Sequence, residues 1–287
     1  MANSRLALYG ALGANVAIAA TKFIAAGLSG SSAMLSEAIH STVDTGNSLL
    51  MLTGLRLSKR PPSPEHPFGH GRELYFWSFV VAMLIFGLGG GVSIYEGIHH
   101  MRQGRPLEDP GWSYAVLAVS ALFEGTSFAI ALREFKKDIP PGLSFWRALR
   151  GSKDPPAYTV VAEDGAALVG LAIAALGIFA SHRWQLPALD GLASIAIGAL
   201  LGGVAVLLIR ESRGLLVGEG ARPETVKAIK QIALSQPGVK ETGPALTMYF
   251  GPEEVLLTLD LIFARRHGAE GFVAHGKRGA QRARSHW

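Results

Sequence analysis

Long apolar blocks dominate the chain. Six of them, at 6–28, 33–57, 74–98, 112–132, 158–180 and 189–209, are separated by breaks of Gly, Pro or charge. A helix needs about 20 mostly apolar residues to cross a bilayer, so the pattern predicts six transmembrane helices. After Arg213 the pattern changes. Residues 222–236 place Val226, Ile229, Ile232 and Ala233 on one side of a short helix, behind Pro223. Residues 245–250 and 255–263 read as two strands around a Gly251-Pro252 turn. From His267 onward apolar periodicity stops, and 267–287 reads as a flexible tail rich in Gly, Arg and His. The predicted organisation is a six-helix membrane domain at 1–213, a small cytoplasmic α+β domain at 214–266 and an atypical, disordered tail at 267–287.

Composition sharpens this picture. Hydrophobic residues make up 49% of the 287, and charged residues only 17%. A soluble chain carries about 25% charged residues, so both disorder and an ordinary soluble domain are disfavoured. The formal charge of +5 fits Lys and Arg flanking membrane spans better than a nucleic-acid binder. With no cysteine, the chain is not a disulfide scaffold, a Cys-type zinc finger or an iron–sulfur protein, and it has no cysteine nucleophile. The 35 glycines suit close helix contact inside a membrane, as does the GxxxG spacing at 87–91 and 198–202. The first apolar block is too long for a signal peptide and lacks a small-residue cleavage pattern. Segments on the side of the N-terminus hold 11 Lys and Arg, and those on the other side hold 3. Both termini are therefore expected in the cytoplasm. A bacterial inner membrane is the expected location, because the N-terminus does not look like a transit peptide.

Ionisable residues at membrane depth cost several kcal/mol, about 2.5–3.5 on insertion scales, and so mark function. His40 and Asp44 lie four apart, one turn along one helical face, with Glu37 and Asn47 extending it. An imidazole nitrogen beside a carboxylate suits half a site for zinc or a similar ion, and a structural His–Asp bond is the plainer reading. Glu163 and Asp164 are adjacent near the start of the fifth span, so they point about 100° apart and cannot both face one ion head-on. Asp164 is the expected ligand, since Gly165 and Gly170 indicate close packing there. Glu163 is read as a proton acceptor, a partner for a basic residue or an interfacial carboxylate. Glu124 is a candidate proton carrier or a group supporting the ligands, and Lys22 either snorkels or pairs inside the bundle. Asp190, just after Pro187, reads as an acid at its own helix N-terminus. His66 and His70 sit in a Pro- and Gly-rich turn, which is either a loop at the membrane surface or a second ion site.

The stretches Ser31-Ser32-Ala33-Met34-Leu35-Ser36-Glu37-Ala38-Ile39-His40-Ser41 with Asp44, His66-Pro67-Phe68-Gly69-His70-Gly71-Arg72, and Asp164 together resemble the cation diffusion facilitator family of divalent-metal/proton antiporters. Ser152-Lys153-Asp154-Pro155 followed by Val161-Ala162-Glu163-Asp164 is most similar to its zinc-transporter-nine-like subgroup. The resemblance implies six helices, a ferredoxin-like cytoplasmic domain that dimerises, and a metal site between spans 2 and 5. It carries metal ligation onto His40, Asp44 and Asp164. Val160 stands where the family's other span-5 ligand falls, and it cannot coordinate a metal. Water, Asn47 or Glu163 is then needed to complete a tetrahedron. The tail departs too, which leaves the α+β domain incomplete after Phe263.

The expected function is therefore a secondary transporter, not an enzyme. It would export zinc, or else manganese, iron or cobalt, in exchange for protons. Its partners would be the metal ion, protons, the bilayer and a second copy of the chain, with no prosthetic group and no nucleic acid. A transport-incompetent relative is the alternative reading, and a metal-dependent membrane enzyme is a distant third.

Overall fold

The computed structural model describes residues 2–104, 110–137, 139, 142, 144–150, 152, 154–252 and 254–264. The predicted tail at 267–287 lies outside the described residues. Two compact units are present, one of Met1–Leu57 with Glu73–Arg213, the other of Ser58–Arg72 with Gly214–Trp287. The loop 58–72, which sequence places within the 1–213 domain, thus groups with the second unit.

The first unit is helical: α1 (Ala2–Ser29), α2 (Ser32–Ser58), α3 (Glu73–Leu84), a π-helical segment (Ile85–Gly91), α4 (Val92–Gln103), α5 (Gly111–Lys137), α6 (Phe145–Arg150), α7 (Pro155–Trp184) and α8 (Ala188–Val217). The π segment joins α3 and α4 into one run. Four runs are long and apolar enough to cross a membrane: Glu73–Gln103, Gly111–Lys137, Pro155–Trp184 and Ala188–Val217. Helices α1 and α2 have 28 and 27 residues. Among the described residues α1 contributes an apolar stretch of only Asn15–Ser29, and the polar residues of α2 dilute its apolarity. The chain is therefore a mostly helical membrane protein with four spans evident from length and apolarity alone.

Local chemistry sets the helix ends. Gly30 at φ 68° separates α1 from α2, and Gly104 at φ 63° ends α4, both in the left-handed region that favours glycine. Pro155 opens α7, where its missing N–H costs nothing. Small residues set the packing. A Cβ on Gly198 of α8 would lie 2.7 Å from the Gly90 carbonyl oxygen, and one on Gly97 of α4 would lie 2.5 Å from that of Gly191. Only glycine allows this approach. Hydroxyl pairs add polar links between helices: Ser36 to Ser194 at 2.5 Å, Ser194 to the Ser93 carbonyl at 2.8 Å, and Ser78 to Ser212 at 2.9 Å. The core between them is built from Met34, Ile85, Leu171, Ile178, Ile197 and Leu201.

In the second unit α9 (Pro223–Leu234) packs on an antiparallel pair, β1 (Val239–Gly251) and β2 (Glu254–Phe263). β1 starts six residues before the strand read from sequence. Gly243 and Pro244 hide that beginning, and the register slips between Thr242 and Ala245, as expected where proline cannot donate to a ladder. The loop 58–72 reaches the same strand. Phe68 meets Phe250 at 5.0 Å, and the Arg72 guanidinium lies 4.5 Å over that ring. Any Cβ on Gly71 would collide with the Phe250 carbonyl. Burial pushes the Tyr249 phenol above its ordinary pKa.

Candidate metal centre

Helix α2 carries a polar face through its middle. His40, Glu37 and Asn47 are buried, and Asp44 is half-buried. His40 Nδ1 stands 3.3 Å from Asp44 Oδ1. Neither ring nitrogen of His40 has a hydrogen-bond partner, nor has Asp44 Oδ1 or Asn47 Oδ1. Buried polar atoms are nearly always bonded, so several unpartnered atoms on one face need an explanation.

Glu37 is treated differently. Lys22 of α1 is fully buried, and its ammonium donates to Glu37 Oε2 at 3.1 Å and to the Ser41 hydroxyl at 2.7 Å. Glu124 of α5 lies 4.0 Å from the same nitrogen. Lys22 therefore pairs inside the bundle. Glu124, the predicted proton carrier, belongs to this pair's surroundings.

Helix α7 divides its two acids between neighbours. Glu163 Oε1 accepts the Asn47 side-chain amide at 2.8 Å, and so faces α2. Asp164 Oδ2 accepts the Ser127 hydroxyl of α5 at 2.7 Å. Val160 is 40% exposed. Asp44 lies within electrostatic reach of Glu124, Lys22, Asp164 and Glu37, and Glu163 within that of Asp44. The predicted residues thus share one neighbourhood. Among the described residues, however, no three His, Asp or Glu side chains converge closely enough to hold a metal ion. Ser127 and Thr159 escaped sequence reading, because single hydroxyls in an apolar span carry no distinctive signal.

The other predicted residues are engaged differently. Asp190 caps α2 rather than only its own helix: it accepts from the Ser31 hydroxyl and the Ser32 N–H, both at 2.6 Å, and from the Ser32 hydroxyl at 3.0 Å. His100 Nε2 lies 3.6 Å away. His66 and His70 sit with ring centroids 4.5 Å apart in the second unit, and His70 Nδ1 has no partner.

Apolar helices of membrane-crossing length around a buried polar seam define an integral membrane protein with an intramembrane polar site. Residues 8–217 match the cation efflux transmembrane domain, and the chain belongs to that family. It is 33% identical over 246 residues to the mitochondrial proton-coupled zinc antiporter SLC30A9 of Xenopus laevis, covering 85% of this chain and 44% of that one. The human SLC30A9 is 34% identical over 220 residues, 76% of this chain and 39% of its own. Metal tolerance protein C4 of Arabidopsis thaliana is 35% identical over 217 residues, 75% of this chain and 48% of its own. The chain therefore spans less than half the length of these relatives. The similarity places it in the zinc-transporter-nine-like subgroup, whose SLC30A9 relatives here are named as antiporters. The SLC30A9 relatives are named mitochondrial, which lends no support to the expected bacterial inner membrane.

Proposed function

We propose that the chain is a secondary transporter that moves a divalent transition-metal ion, foremost zinc, out of the cytoplasm in exchange for protons. The single observation that carries this reading is the His40–Asp44 pair in the middle of α2, with both imidazole nitrogens and Asp44 Oδ1 buried and without a hydrogen-bond partner. Such atoms are tolerated where a ligand completes them. Helices α1 and α2 complete a six-span bundle with the four apolar runs, both ends of the bundle lie on the Lys- and Arg-rich side, and His40 and Asp44 bind the ion together with a carboxylate from α7. Coordination requires a neutral imidazole and ionised carboxylates, so binding metal releases protons and binding protons releases metal. Rocking of helix groups about this site gives alternating access. The zinc named for the SLC30A9 relatives supports zinc as cargo, and manganese, iron and cobalt suit the same nitrogen and oxygen ligands. The second unit joins two protomers through the apolar residues that β2 leaves exposed, including Leu257 and Ile262.

Zinc flux in proteoliposomes with an imposed pH gradient tests this reading. The wild type is expected to show gradient-driven flux that Asp44→Ala abolishes. Val160 favours one alternative, a transport-incompetent relative. Absence of flux for zinc, manganese, iron and cobalt alike would establish it.

A further inference from the structure

We propose that α7 offers Glu163, and not the stripe of Val160 and Asp164, to the ion held by His40 and Asp44, with Asn47 as the residue that positions it. This inference rests on the transporter reading above. Residues four apart share a helical face, so Val160 belongs with Asp164, and Thr159 belongs with Glu163. The two faces have opposite surroundings. Val160 is 40% exposed, and Asp164 is bonded to α5 through Ser127. Thr159 is 1% exposed, and Glu163 is bonded to α2 through Asn47. Seven residues beyond Glu163, Gly170 returns to the same face after nearly two turns. A Cβ there would lie 2.5 Å from Glu37 Oε1 of α2.

The seam between α2 and α7 therefore runs from Glu37 against Gly170 to Asn47 against Glu163. His40 and Asp44 lie between these two contacts on α2. Ala166 and Ala167, both buried, lie between them on α7, and neither brings bulk. Among the described residues, the buried side-chain atoms left unpartnered at the seam include both nitrogens of His40, Asp44 Oδ1, Asn47 Oδ1, Glu37 Oε1 and Thr159 Oγ1. Glu163 Oε1 is engaged by Asn47, which fixes the carboxylate and leaves Oε2 for an ion.

One imidazole and two carboxylates with water in the fourth position form a three-ligand zinc set, the kind that keeps one position open. An ion that must leave again suits such a set. Glu163 thereby takes the place that Val160 leaves empty, three residues further along and on the face that α2 sees. The groups are not yet within coordination distance of one another, so the ion draws the seam together as it binds.

The test uses the full chain in detergent and in proteoliposomes, with zinc titration for affinity and Co²⁺ absorption for the ligand set. Glu163→Gln keeps the shape and the bond to Asn47, and it is expected to weaken zinc binding more than about 100-fold and to alter the Co²⁺ spectrum. Asn47→Ala is expected to weaken zinc affinity about 10–100-fold, the usual cost of losing a residue that orients a ligand. It should also alter the Co²⁺ spectrum, which a merely structural role would not do. Asp164→Asn is expected to leave affinity and spectrum as in the wild type. Should Glu163→Gln not purify as a single species, Glu163→Asp with its displaced carboxylate is read by the same spectrum. Zinc binding that survives in Glu163→Gln or Glu163→Asp but is lost in Asp164→Asn would overturn this assignment and leave the transporter reading standing. A wild type that binds none of zinc, Co²⁺, manganese and iron would overturn both.

Discussion

Two acids mark α2, one fully buried at its start and one half-buried in its middle, and they are bonded in opposite ways. At its first turn Asp190 is fully buried and accepts two hydroxyls and a backbone N–H within 3.0 Å. Halfway along, Asp44 faces a histidine with no bonding partner and has an oxygen with none. Both present buried oxygens, yet only the first has them filled by the protein. A filled carboxylate contributes to stability, because removing it strands its donors. An unfilled one costs stability and persists for what it binds. The comparison separates a structural acid from a functional one without reference to sequence position.

The largest expected effect breaks that comparison at its structural end. Asp190→Ala leaves the Ser31 and Ser32 donors buried without an acceptor. It should cost near the upper end of the ~3–5 kcal/mol seen when one partner of a buried pair is removed. Unfolding by SDS titration in mixed micelles measures it. Asp44→Asn in the same assay should change stability by less than about 1 kcal/mol, the range of substitutions that break no satisfied network. Equal losses for the two variants would mean that bonding does not distinguish them.

Next in size is the Lys22–Glu37 pair, which is as buried as Asp190 but rests on fewer bonds. Lys22→Met leaves Glu37 charged and unpaired, at a cost of about 3 kcal/mol. The double variant Lys22→Met with Glu37→Gln removes both charges and should recover most of that loss. If it stays as unstable as the single variant, the packing of the Lys22 stem matters rather than its charge, and the pair is not the counterpart of Asp190.

Sequence reading reached the polar face of α2 because charge at membrane depth is costly and therefore conspicuous. It reached Glu163 and Asp164 for the same reason. It did not reach the rotation of α7. In a membrane helix the residues facing lipid and those facing other helices are both apolar, so nothing in the pattern says which of two adjacent acids turns inward. Glycine spacing carried a weak clue, since Gly170 shares the face of Glu163 and not that of Asp164. The role of Asp190 was half legible: its place after Pro187 marked a helix start, but the helix it caps begins 158 residues earlier, at Ser32. The early part of β1 and the short helix α6 were hidden by Gly, Pro and brevity. The family resemblance added His40, Asp44 and Asp164 as expected metal positions and offered no substitute for Val160.

The smallest expected effect joins the two kinds of site. Gly170→Ala places a methyl 2.5 Å from Glu37 Oε1, the oxygen that Lys22 leaves free. Crowding of this kind costs about 1–3 kcal/mol. Against it, alanine is favoured over glycine within a helix by about 1 kcal/mol. The net change in the wild type should therefore be a loss of no more than about 2 kcal/mol. In a Glu37→Ala background the obstacle is gone and only the helix preference remains, so Gly170→Ala should become stabilising by up to about 1 kcal/mol. The difference between the two backgrounds is the coupling across the α2–α7 seam, and a double-mutant cycle reads it directly. A change of sign would show that α7 presses its Glu163 face against α2. Additive effects would mean that α7 is turned otherwise, with Asp164 as the acid nearer the ion.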